Sequence, residues 1–146
     1  MHNRSKSTLF LMEQLIAILV FAFCAAACVK TFVTSYMMVV ESNDRNNALI
    51  VAESYAEGYK AVHGSLSEAS AVLGGTVSSD EHTLVVYYDK KWQACEAKDA
   101  FYILNLINRQ QAEIEPTLVL GDISIVKSSG DEIISFTTAA RSNLYE

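Results

Sequence analysis

Glu13 is where a chemical argument can start. It is the one charged residue in LFLMEQLIAILVFAFCAAACV, residues 9–29, a run that is otherwise almost entirely apolar. A carboxylate at mid-bilayer costs about 2.5–3.5 kcal/mol or more, and less near the interface. Glu13 therefore either reaches the headgroups or meets a partner charge, and Arg4 and Lys6 are the cations just upstream. Elsewhere the spacing supports no reactive centre. His2, His63 and His82 are scattered, and no phosphate loop, dinucleotide fingerprint or paired-cysteine motif occurs. No Ser, His and Asp grouping has catalytic spacing, so the sequence reads as neither an enzyme nor a cofactor carrier. His63 falls at an expected helix end, where it favours the dipole. Cys24 and Cys28 lie four apart on one helical face as small packing residues, at a separation poor for a bridge. Cys95 reads as a buried strand residue, or alternatively as an exposed thiol that pairs between chains. One cysteine outside the run cannot build a zinc site. Asp80–Glu81 and Asp131–Glu132 read as solvated turns without EF-hand spacing. Tyr87, Tyr88, Trp92, Phe101 and Tyr102 read as cross-strand packing rather than a ligand platform.

The element that carries Glu13 is a helix. At ~1.5 Å per residue the run spans a hydrocarbon core ~30 Å thick. Before it, MHNRSKST carries His2, Arg4 and Lys6 and no acid. That flank predicts a cytoplasmic N-terminus, a single pass through the cytoplasmic membrane and an exported remainder. Lys30 closes the run and can snorkel to the far headgroups. Two other leader readings exist, a plain secretory signal and a lipoprotein signal with Ala25–Ala26–Ala27 before Cys28. Glu13 inside the run and apolar character as far as Val40 argue against both. Charge is divided along the chain: residues 31 onward hold 8 Lys+Arg against 16 Asp+Glu. An acidic exterior of this kind argues against nucleic acid as a partner.

KSTLFLMEQLIAILVFA resembles the N-terminal segment of type IV pilins and type II secretion pseudopilins. That family has a short basic leader, a cleavage point, four mostly apolar residues, a glutamate and then an unbroken hydrophobic helix. Aligned on the glutamate, Leu9 is the first mature residue and Glu13 the fifth. The match covers about residues 4–30. Thr8 stands where the family has glycine before the cut, and the family's proline later in the helix is missing. The resemblance implies a minor pilin or pseudopilin of a pilus, type II secretion or competence filament, located in the cytoplasmic membrane or in an extracellular filament. It implies prepilin peptidase acting at Thr8–Leu9, an inner-membrane assembly platform, membrane lipid, and other pilin-like subunits as partners. It implies that Glu13 pairs with the N-terminal amine of an adjacent subunit. If Thr8–Leu9 stays intact, Lys6 or Arg4 of a neighbour takes that place. It also brings in calcium at the sheet-region acidic pairs, because some pseudopilins bind it there. The reading from another class is a single-pass anchor whose exported α+β domain binds a ligand without polymerising.

The rest of the chain reads in order. Residues 1–8 form the basic leader, 9–30 the membrane or filament-core helix, and 31–63 its continuation against the exported domain. ESNDRNN, residues 41–47, is polar on every side and is either exposed helix or a break. The absence of proline and glycine from residue 9 to 57 favours continuity. Leu49, Ala52, Ala56, Tyr59 and Val62–His63 form an apolar stripe, and Gly64 stops the helix. Residues 64–76 read as a connector with one short helical turn capped by Ser67 and ended by Gly74–Gly75. Strands are expected at 82–89, 90–95, 100–109, 117–127 and 132–140, with a break at Glu115–Pro116. One long helix followed by four or five antiparallel strands, in residues 64–146, predicts an α+β fold with the stripe covering one sheet face.

Overall fold

The computed structural model describes residues 3–109 and 118–142. The break expected at Glu115–Pro116 lies outside them. A single helix, α1 (Asn3–Ala61), carries both the apolar run and the stripe. ESNDRNN is therefore helical, as the lack of breakers before Gly58 requires. The chain divides into two compact units between Ser42 and Asn43. In the first, the side chains from Thr8 to Ser42 are all exposed.

In the second unit, the last part of α1 lies on a five-stranded antiparallel sheet. Its strands are β1 (Thr76–Val77), β2 (Thr83–Tyr88), β3 (Tyr102–Arg109), β4 (Leu118–Lys127) and β5 (Glu132–Arg141), paired in chain order. The order is a meander, which short turns can build. Alternation along β2 to β4 turns Leu84, Val86, Leu104, Leu106, Ile123 and Ile125 inward. Ala48, Ala52, Tyr55, Ala56 and Tyr59 of α1 complete the buried cluster. Three alanines in that face permit close approach of helix to sheet. The three tyrosines of this core that reach out for a partner each find one: Tyr55 donates to the Leu73 carbonyl at 2.8 Å, Tyr59 to Asn108 Oδ1 at 2.7 Å, and Tyr102 to Asp44 Oδ1 at 2.9 Å.

The structure corrects several expectations. The buried stripe runs 48, 52, 55, 56, 59, so Leu49 falls on its flank, 38 % exposed. Helix α1 ends at Ala61, and His63 adopts a left-handed φ of 54° beyond it. Gly64 follows at φ 85° and donates its N–H to the Tyr59 carbonyl at 2.9 Å, closing the helix end. His63 Nδ1 lies 3.1 Å from the Arg141 carbonyl, so the ring meets the end of β5 rather than the helix dipole. The connector holds a helix, α2 (Leu66–Leu73), capped by Ser65 and not by Ser67. Ser65 Oγ accepts from the Glu68 N–H, and its backbone is extended as an N-cap must be.

Residues 90–95 are not a strand. Asp89 Oδ1 accepts from the N–H groups of Lys91 at 2.8 Å and Gln93 at 3.0 Å, which curls the backbone into a turn. Trp92 sits there at φ 61°, and pairing is reduced to one bridge, Tyr88 to Ala94. Cys95 is accordingly a half-buried loop residue. Strand β1 had no visible signal, being two residues long. In β5 a bulge sets Glu132 opposite Val126 and Ile134 opposite Ile125, leaving Ile133 out of register.

Candidate functional site

The sequence placed its functional residues on the apolar half of α1. Between Leu9 and Val40 the large apolar side chains are 45–78 % exposed. This helix is long and apolar enough to cross a membrane near the N-terminus. Glu13 is exposed within it. Thr8 and Leu9 lie inside α1, so the bond between them is helical, and a peptidase would have to unwind it locally. Arg4 and Lys6 belong to the same helix, while their side chains lie outside the described residues.

Two hydroxyls beyond Glu13 are masked locally. Thr31 Oγ1 donates to the Ala27 carbonyl at 2.9 Å, and Thr34 Oγ1 to the Lys30 carbonyl at 2.9 Å. Such back-bonding hides a hydroxyl from an apolar neighbour. Cys24 and Cys28 are exposed free thiols. Cys28 shares a shallow groove with Ala27, Thr31, Phe32 and Ser35. This surface offers no reactive geometry. It offers apolar area and one carboxylate.

A second set of residues, missed in the sequence, fixes α1 to the sheet. Asp44 Oδ1 accepts from the Tyr102 hydroxyl, and Asp44 Oδ2 lies 3.0 Å from Lys127 Nζ. Tyr102 and Lys127 are cross-strand partners on β3 and β4, so one carboxylate holds two strands. Burial, then the hydrogen bond donated to Asp44 and the charge of that carboxylate, push the Tyr102 hydroxyl up to about 12. Trp92 stacks on Tyr102 with ring centroids 4.0 Å apart, and Phe101 meets it edge-on at 4.9 Å. Tyr88, Trp92, Phe101 and Tyr102 therefore pack on one another around the turn that carries Trp92, while Tyr87 alternates to the other face of β2. The available signal for Asp44 was its place one turn before Ala48, on the extended stripe. At the other end of α1, Asn108 Nδ2 donates to the Gly64 carbonyl at 3.2 Å while its Oδ1 accepts from Tyr59.

The outward sheet face carries polar groups. Arg109 pairs with Asp122 at 2.5 Å, and Thr137 Oγ1 donates to the other Asp122 oxygen at 2.6 Å. With Ser124 and Ser135 they line an open cleft. Among the described residues no group of three metal-ligating side chains is present. Asp80, expected in a solvated turn, accepts from Ser78 Oγ, which lowers its pKa below the ordinary carboxylate range. Burial pushes the Cys95 thiol up, with Asp89 and Asp99 adding to the effect, so the reactive thiolate is disfavoured. Compared with family models, curated proteins and solved structures, the chain matches none.

Proposed function

We propose that this chain is a pilin-like structural subunit, a minor pilin or pseudopilin, that assembles through the apolar half of α1. The observation that carries the reading is a helix exposed on every side from Leu9 to Val40 with Glu13 a turn inside its apolar run. In lipid, and then in a filament, such helices pack side by side. A carboxylate among them is tolerable only when matched, and only one stagger between helices matches it. Its partner is the Leu9 amine of a neighbour after cleavage, or Lys6 or Arg4 of a neighbour without it. The inner-membrane assembly platform, prepilin peptidase and surrounding lipid belong to the same proposal, as does an N-terminus on the cytoplasmic side. The function is mechanical, and no catalysis is assigned.

The expected result is that Glu13→Ala leaves the exported domain folded but abolishes incorporation in a shear-and-pellet assay. Unchanged incorporation removes the charge-pairing account. Intact mass of the mature protein settles processing. A methylated Leu9 start means pilin processing, a lipidated Cys28 start means a lipoprotein, and an intact Met1 leaves the neighbour's Lys6 or Arg4 as partner. The second reading, an anchored domain that binds a ligand, draws on the cleft of Arg109, Asp122, Ser124, Ser135 and Thr137. It requires that the chain stay unpolymerised.

A further inference from the structure

The apolar surface of α1 is longer than a membrane. From Leu9 to Val40 there are 32 residues, about 48 Å of helix, against a hydrocarbon core of about 30 Å. To bury all of it in lipid the helix would tilt by about 50°, beyond the roughly 0–40° range seen for spanning helices. Lys30 divides the surface at the length a single span needs. The residues after it therefore stand outside the hydrocarbon, where water makes their exposure costly.

Those residues are patterned. Phe32, Val33, Tyr36, Met37 and Val40 recur at steps that place them on one helical face. They are 78, 49, 67, 67 and 45 % exposed. Val39 lies at the edge of this face, and the other side holds Thr31, Thr34, Ser35, Glu41 and Ser42 with Met38 as its one large apolar residue. The face is rich in aromatics and methionine, the residues that supply contact area at interfaces. Its free area is on the order of 500 Å² per copy, given 150–250 Å² for each aromatic. Two such faces together reach the roughly 1,000 Å² that a specific contact needs.

We propose that this face pairs with the same face of a second copy of this chain, just outside the bilayer, before any filament forms. Two copies in one membrane enter with the same orientation, so the helices run parallel and the faces meet at equal depth. The span fixes depth and direction, which lowers the entropic cost of association. The inference rests on residues 9–29 crossing the membrane and not on charge pairing at Glu13.

The test uses the full-length chain, fluorescently labelled, alone in phosphatidylcholine vesicles, with subunits counted by photobleaching steps. Two-step bleaching that grows with protein density is expected. Tyr36→Glu and Met37→Glu should each reduce pairing by about tenfold or more, equivalent to ~1.4 kcal/mol. Tyr36→Phe should retain it, and Ser35→Glu, on the other face, should lie within about twofold of the unaltered chain. Vesicle flotation checks that each variant inserts. Single-step bleaching at every density overturns the proposal, as does equal loss in Ser35→Glu. Glu13→Ala separates the two ideas. Pairs that persist in Glu13→Ala vesicles support this inference whether or not that variant enters filaments, whereas normal filament incorporation of Glu13→Ala removes only the charge-pairing account.

Discussion

Replacing Asp44 should test how α1 is held on its sheet. Its carboxylate is only 20 % exposed and serves two partners, Tyr102 at 2.9 Å and Lys127 at 3.0 Å. Asp44→Ala removes a hydrogen bond to a charged acceptor, worth about 1.5–3 kcal/mol. The lost ion pair adds less, about 0–1 kcal/mol, since Lys127 remains 30 % exposed and reaches water. Tyr102 is 2 % exposed, so its hydroxyl is left with little access to solvent. The sum is a loss of about 2–4 kcal/mol, a large part of the stability of a domain this size. Asp44→Asn keeps an oxygen for Tyr102 and should lose about 1–2 kcal/mol. Urea unfolding of the full chain in detergent, followed by tryptophan fluorescence, is the assay, because Trp92 stacks on Tyr102. A double-mutant cycle apportions the effect. Asp44 and Tyr102 (through Tyr102→Phe) should couple by about 1.5–3 kcal/mol, and Asp44 and Lys127 (through Lys127→Met) by under about 1 kcal/mol. If the Lys127 coupling is the larger, the ranking of hydrogen bond over ion pair is wrong.

Other consequences are simpler. Thr138 is 5 % exposed with no partner for its Oγ1 among the described residues, so Thr138→Val should raise stability by about 1 kcal/mol in the same unfolding assay. A Cβ on Gly121 would lie 3.0 Å from Leu106 Cδ1 and 3.0 Å from Tyr59 Cε1, and Gly121→Ala should cost about 1–3 kcal/mol by overpacking. Burial also pushes the Tyr59 hydroxyl up to about 12, as it does for Tyr102. A raised pKa means the folded state retains protons that the unfolded chain gives up near 10, so this stability is complete below pH 10 and disappears as pH rises to about 12. Burial raises Tyr55 and Tyr88 as well, so tyrosinate absorbance should show four of the seven tyrosines ionising only with unfolding.

What could be read from the residues depended on how local the cause was. The helix followed from an uninterrupted run without breakers, and β2 to β4 from alternation, because period alone sets which side a residue takes. Lys127 continues the alternation of Ile123 and Ile125, and its charge on that face makes sense only with Asp44 opposite. Asp44 could not be found because its role depends on two strands more than 50 residues away. Residues 90–95 misled because Trp92 and the lysines suggest a strand, while Asp89 bonds its own turn more cheaply than a ladder. Ser65 and Ser67 both suit a helix start, and the choice between them was made by Glu68, three residues after Ser65, completing the Ser-x-x-Glu spacing.

Glu13 is the part of the candidate site that no fold can explain, and energetics show why its partner matters. Residues 9–29 include eleven Leu, Ile, Phe and Val, each favouring insertion by about 0.3–0.6 kcal/mol, or about 3–7 kcal/mol together. A carboxylate costs about 2.5–3.5 kcal/mol at the bilayer centre and less one turn from the edge. The anchor therefore inserts with Glu13 present and would insert better without it. Glu13→Leu should raise membrane insertion, measured as the glycosylated fraction of a translocation reporter, while lowering incorporation into filaments. Opposite signs in the two measurements identify an acid that serves association at the expense of anchoring. If both rise together, Glu13 is a headgroup residue and the helices choose their stagger by some other contact.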